Sequence, residues 1–133
     1  VPELGATLGE TLLTPTKLYV KPVLALLDRC EVKAISHITG GGFFENIPRM
    51  LKSGLTAKVE IASIPKLPIF DLMQKKGDIP TREMYNTFNM GVGMCIAVAK
   101  EQVDIALSAL KEADTNAFVM GEVVPGEEGV ILC

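Results

Sequence analysis

The spacing of apolar positions divides the chain into short segments that alternate between helical and strand periodicity. Leu18, Val23, Leu24, Leu26 and Leu27 give a broad apolar side to a helix that follows Thr14-Pro15-Thr16, as the 3.6-residue repeat requires. Pro22 lacks a backbone donor, so this helix either starts late or kinks there. Residues 33–38 read as a short, mostly apolar strand that runs into Gly40-Gly41-Gly42. Phe43 to Asn46 make one helical turn. Pro48 disfavours a helical Ile47, so a second turn restarts with Asn46 as its cap.

Further along, residues 56–62 (TAKVEIA) alternate as a strand does. SIPKLP is a turn-rich connector, and Ile69 to Lys76 form a helix closed by Gly77. A short helix carries Met84, Tyr85 and Phe88, with Thr81 as its N-terminal cap. Residues 92–99 (VGMCIAVA) are almost continuously apolar, the pattern of a strand buried on both faces. Val103, Ala106, Leu107 and Leu110 make one stripe on a helix over 102–113. Residues 117–124 add a strand, and Val130 to Leu132 add an edge strand. Residues 1–15 read as a linker-like lead-in. Strands alternating with helices predict an α/β (α+β-like) fold, a layered domain with a central mixed sheet flanked by helices. A length of 133 residues suits a single domain over 1–133.

Composition narrows the functional classes. Hydrophobic residues make up 48% and charged residues 22%, ordinary globular usage. A net charge of −3 gives no electrostatic footprint for nucleic acid. No apolar run reaches the roughly 20 residues of a membrane-spanning helix. The N-terminus has neither an initiating Met nor a basic signal-peptide region, and it reads as cut from something longer. Cys30, Cys95 and Cys133 show no CxxC spacing, and His37 is the only histidine. A zinc site would need an unusual ligand set, so no metal site is expected. Three reduced thiols fit a cytoplasmic protein.

The candidate chemistry centres on His37-Ile-Thr-Gly-Gly-Gly. A strand, then glycines, then a helix start is the generic layout of an anion site, because glycines let a phosphate approach the backbone. A P-loop needs GxxxxGK[ST], and no Lys follows Gly42 at that distance. The dinucleotide pattern GxGxxG fails at Glu45 when started from Gly40, and at Ile96 when started from Gly91. A plain tight turn explains the glycines equally well. His37 falls on the strand face opposite Ser36 and Ile38, as either a structural residue or a proton carrier beside the glycines. Asn46 is a substrate ligand or a helix cap. Asn89 and Gly91, in TFNMGVG, form a second strand-edge loop, or a turn or helix C-cap. Lys17 and Lys21 beside Tyr19 are within reach of a ligand, though solvent is the default for lysine. The acidic groups Glu122 with Glu127 and Glu128, and Glu112 with Asp114, read as solvated surface.

Three strings in order, LLTPTKLYVKPVL, HITGGGFFENIPRML and EMYNTFNMGVGM, closely resemble the C-terminal domain of the aminoimidazole ribonucleotide synthetase (phosphoribosylformylglycinamidine cyclo-ligase) family. The resemblance runs from about Leu8 to about Val124. It implies an ATP-dependent ring closure of formylglycinamidine ribonucleotide in purine biosynthesis. ATP and Mg2+ would be held mainly by an N-terminal ATP-binding domain that this chain lacks, in an enzyme expected to be a homodimer. No cofactor is then expected in this fragment, which should be inactive alone. By motif match, His37 is the catalytic candidate, and Thr39, Gly40, Gly41, Gly42, Asn46, Asn89 and Gly91 are substrate-binding candidates. Selenophosphate synthetase, thiamine monophosphate kinase and the hydrogenase maturation protein share the fold, though ENIPR after the glycines is not expected in them. A non-catalytic binding module of the same fold is the remaining alternative.

Overall fold

A computed structural model describes residues 1–133. Helix α1 spans Leu8–Leu12, α2 Val20–Leu27, α3 Gly42–Asn46, α4 Pro68–Gly77, α5 Thr81–Thr87 and α6 Val103–Glu112. Strands β1 to β5 span Val32–His37, Leu55–Val59, Met94–Val98, Gly121–Pro125 and Val130–Leu132. The α/β layering is as expected, but there are two small sheets rather than one. β1 and β3 form an antiparallel pair, and β4-β2-β5 form a mixed three-stranded sheet in which β2 is antiparallel to β4 and parallel to β5.

The pair β1–β3 has a different neighbour on each face. Ser36 pairs with Cys95, and His37 pairs with Met94. Successive side chains alternate between faces, so Ser36 and Cys95 point inward while Ile35, His37, Met94 and Ile96 point the other way. On the outward face, Ile96 and Val98 pack on a cluster formed by Leu26, Cys30, Ala106, Ala109 and Leu110, which brings in α2 and α6. On the inward face, Cys95 joins a larger core with Phe43, Ile47, Val59, Tyr85 and Val130. Lys33 sits at a register shift between Val32 and Ala34. The extra residue returns Val32 to the outward face opposite Val98. Arg29 of the α2 end meets Glu112 of α6 at 2.6 Å, an exposed pair of the kind that contributes about 1 kcal/mol at most.

Local chemistry changes several expected boundaries. The lead-in is not a plain linker, because Thr7 and Glu10 form a reciprocal capping box on α1. That box satisfies two N–H groups that a helix start otherwise leaves open. The Thr7 hydrogen bonds also lower the Glu10 carboxyl pKa. Pro22 lies in the first turn of α2 and is buried, so the helix starts late and runs unbroken. Gly77 belongs to α4, and the left-handed residue that ends it is Asp78, at φ 49°. Thr81 is the first residue of α5, with Pro80 in the cap position. Its hydroxyl accepts instead from Gln74 Nε2. β3 is packed on both faces, as expected, but it is not a central strand. It covers 94–98 and pairs with β1 alone, while Val92 enters the core from the loop before it.

Candidate functional site

Antiparallel pairing brings the end of β1 and the start of β3 to the same edge. The Ile38 N–H donates to the Gly93 carbonyl at 2.8 Å, which ties the 39–42 loop to the 89–93 loop. The two motifs singled out in the sequence are therefore neighbours, although about fifty residues separate them along the chain.

Each of the three glycines occupies a different setting. Gly42 is buried at φ 56°, and a Cβ there would run into the carbonyl oxygens of Tyr85 and Phe88. Only glycine lets α3 lie this close to α5. Gly41 sits at φ 92°, with the Glu45 side chain over it. Gly40 is the exception, because its φ is not positive and nothing lies within 4 Å of the position a Cβ would take. Neither backbone conformation nor packing asks for glycine at position 40. The N–H groups of Thr39, Gly40 and Gly41 donate to no protein acceptor. The Gly42 N–H closes the turn on the Thr39 carbonyl at 3.1 Å.

Asn46 shapes the loop from beneath. It is 2% exposed and does not cap the following turn, which has no side-chain cap at all. Its Nδ2 lies 2.8 Å from the Gly42 carbonyl, 3.2 Å from that of Gly40 and 3.3 Å from that of Thr39. Its Oδ1 accepts from the Thr39 hydroxyl and from Arg49, each at 3.4 Å. One buried amide thus turns three loop carbonyls inward. The Ser36 hydroxyl secures Asn46 in turn, donating to its carbonyl at 2.7 Å. The sequence reading missed Ser36, because a lone serine in a strand carries no pattern.

His37 is exposed on the outward face, opposite buried Ser36 and Ile38, as alternation requires. Tyr19, just before α2, meets it edge-on with ring centroids 6.0 Å apart. The Tyr19 hydroxyl fits where Gly93 has no side chain. Burial, then proximity to Cys95, raises the Tyr19 pKa. The Cys95 thiol is itself pushed up to about 12 by burial, so it stays protonated at neutral pH.

The second loop is self-contained. Asn89 Oδ1 accepts from the Gly91 N–H at 2.9 Å, and the Asn89 carbonyl accepts from the Val92 N–H at 2.9 Å. Met90 and Gly91 take φ of 51° and 86°. Loop 89–93 is thus an Asx turn folded on itself, rather than a helix C-cap. Among the other candidates, Lys17 and Lys21 are exposed, as are Glu122, Glu127 and Glu128. Two hollows lie elsewhere. One, of about 570 Å³, runs along β5 and is lined by Ile61, Arg82 and Glu128 among others. The other, of about 200 Å³, includes Tyr85 and Met90 in its wall. The 39–42 loop lines neither of these hollows. No three His, Cys, Asp or Glu side chains converge in a group that could hold a metal ion. No helix is long and apolar enough to cross a membrane.

These features define a layered α/β domain that presents a glycine loop, with unpaired N–H groups, beside a histidine. A family model described as AIR synthase related protein, C-terminal domain, matches residues 2–133, and the chain belongs to that family. Curated relatives agree. A phosphoribosylformylglycinamidine cyclo-ligase of Caldanaerobacter subterraneus subsp. tengcongensis is 53% identical over 132 residues, 99% of this chain and 39% of that protein. One of Lachnoclostridium phytofermentans is 55% identical over 131 residues, 98% of this chain and 38% of the relative. One of Staphylococcus epidermidis is 52% identical over 124 residues, 93% and 36% respectively. The chain therefore spans a little under two fifths of the length of these relatives.

Proposed function

We propose that this chain is the substrate-side wall of a phosphoribosylformylglycinamidine cyclo-ligase, and that a preceding domain of the same enzyme holds ATP and Mg2+. The observation that carries this reading is the match of almost the whole chain, at about half identity, to relatives bearing that name. In the proposed reaction, ATP phosphorylates the formamide oxygen of formylglycinamidine ribonucleotide. This turns a poor leaving group into a good one. The amidine nitrogen then attacks the activated carbon, the imidazole ring closes, and ADP and phosphate leave.

This chain contributes positioning and electrostatics. The unpaired N–H groups of Thr39, Gly40 and Gly41 suit the phosphate of the ribonucleotide, and bare Gly40 lets its oxygens come within hydrogen-bond distance of the backbone. Asn46 positions the loop without touching the ligand. His37, at the rim, donates to the bound ribonucleotide or carries a proton at the reacting end. Asn89 and Gly91 brace the adjacent wall. The protein in this reading is cytoplasmic, and its longer form is a homodimer.

The test is a chimera in which this chain replaces the matched region of the Caldanaerobacter relative. The chimera is expected to convert formylglycinamidine ribonucleotide to the imidazole product with ATP, while the 133-residue chain alone gives no turnover. A folded chimera that binds ATP yet closes no ring would overturn the assignment. Turnover by the chain alone would overturn the division of labour between the two parts.

A further inference from the structure

The smaller of the two hollows has polar groups on its wall that the fold does not use. It holds about 200 Å³ between the connector before α4, the α4–α5 helices and the tip of the 89–93 loop. Ile64, Phe70 and Met90 give it apolar and aromatic surface. Gln74 and Thr81, also on the wall, are bonded to each other at 3.1 Å. Tyr85 and Asp71 are not satisfied in this way. Tyr85 is 6% exposed, and its ring is held edge-on against Phe43 with centroids 5.2 Å apart. Its hydroxyl nevertheless joins no hydrogen bond within the protein, whereas a buried phenol usually finds a partner. Burial, then the charge of Asp71, raises the Tyr85 pKa, so the phenol is a standing donor at neutral pH. Asp71, in the first turn of α4, makes no ion pair.

We infer that this hollow binds a small, planar heteroaromatic amine. Its ring rests against Phe70 and Met90, a ring nitrogen accepts from the Tyr85 hydroxyl, and its amino group donates to Asp71. Size sets the upper limit. Pockets for drug-sized ligands run to about 300–1,000 Å³, so about 200 Å³ takes one or two rings without a ribose phosphate. The wall chemistry selects the rest. A purely apolar ring would leave the phenol and the carboxylate unpaired, which is how a hydrogen-bonding site rejects an analogue lacking the polar group. Asp71 and Lys66 both line the hollow, so their charges offset and a neutral ring suits it. The site lies apart from the 39–42 loop but is joined to it through packing. Leu67 and Phe70 pack on Gly91, and the Tyr85 carbonyl abuts Gly42. Met90 belongs to the 89–93 turn, so a ring resting on it braces that turn. Nothing in this inference depends on the cyclo-ligase reading.

NMR titration of the 133-residue chain with 2-aminopyrimidine, adenine and benzene tests this. The two amines are expected to bind saturably, with shifts centred on Phe70, Tyr85 and Met90. Benzene should bind at least about threefold more weakly than 2-aminopyrimidine. Tyr85→Phe keeps the ring against Phe43, and Asp71→Ala changes an exposed position, so both variants should melt close to the parent. Each is expected to weaken adenine binding about three- to tenfold. Hydrogen exchange of the Gly91 and Val92 N–H groups, which close the 89–93 turn, should slow in saturating adenine. Shifts that never saturate, or benzene binding as tightly as 2-aminopyrimidine, would overturn the inference. So would full adenine affinity in both folded variants. Unchanged exchange at saturation would overturn the bracing of the turn.

Discussion

The two loops at the shared end of β1 and β3 differ in what they do with their polar groups. Loop 89–93 satisfies itself, with the Asn89 side chain and carbonyl both accepting from its own N–H groups. Loop 39–42 has its carbonyls gathered inward by Asn46 and leaves three N–H groups without protein acceptors. Since unpaired N–H groups seek an acceptor, loop 39–42 has free donors to offer an anion, whereas loop 89–93 has spent its own and is tied to its neighbour through the Ile38 N–H and the Gly93 carbonyl. A glycine-rich motif is thus not one kind of signal. Gly42 is a packing residue, Gly41 a conformational one, and only Gly40 lacks a reason internal to the fold.

Substitutions can break this contrast in graded ways. Gly42→Ala should have the largest effect, because its Cβ meets the backbone of α5 at a positive φ. A loss of about 3 kcal/mol or more is expected, visible in urea unfolding, and a near-neutral result would mean that α3 and α5 are not in fixed contact. Asn46→Ala comes next. It strips three loop carbonyls of their buried donor, and a cost of about 2–3 kcal/mol is expected by the same assay, with weaker ribonucleotide binding in the chimera. Asn89→Ala removes one turn hydrogen bond and should cost only about 0.5–1.5 kcal/mol, with ligand affinity nearly unchanged. If Asn89→Ala instead abolished binding while the protein stayed folded, the second loop would be a ligand loop too.

The smallest effect concerns the thiols. Cys133 is exposed, while Cys30 and Cys95 are buried, and the Cys95 thiol is pushed up to about 12. Titration of the native chain with an aromatic disulfide at neutral pH should modify Cys133 quickly and leave Cys95 untouched until unfolding. Fast modification of Cys95 would show that the inward face of β1–β3 opens readily.

Much of this arrangement was legible in the sequence, for reasons that particular residues make plain. Alternation around Ser36, His37 and Ile38 placed the histidine on the correct face, because one face is buried and the register cannot slip without exposing it. The helical stripe of α6 was readable for the same reason. Partition into sheets was not readable. The apolar run around Cys95 suggested a central strand, yet its alternate residues serve two separate cores, one on each face of a two-stranded pair. Local pattern reports burial, not what does the burying. The role of Asn46 was hidden too, since its partners are the carbonyls of a loop whose path the sequence does not fix. The broad apolar side of α2 divides into buried Leu26 and exposed Leu24 and Leu27, a split that spacing alone does not reveal.

The central claim is that loop 39–42 is a ligand loop whose Gly40 is kept bare for the ligand. The direct test is Gly40→Val in the chimera, measured as affinity for formylglycinamidine ribonucleotide alongside thermal unfolding. The space and φ at Gly40 predict a melting temperature close to that of the parent and a loss of affinity of at least about tenfold, or about 1.4 kcal/mol. Unchanged affinity in a folded Gly40→Val protein would contradict the account, and the three glycines would then be no more than a turn.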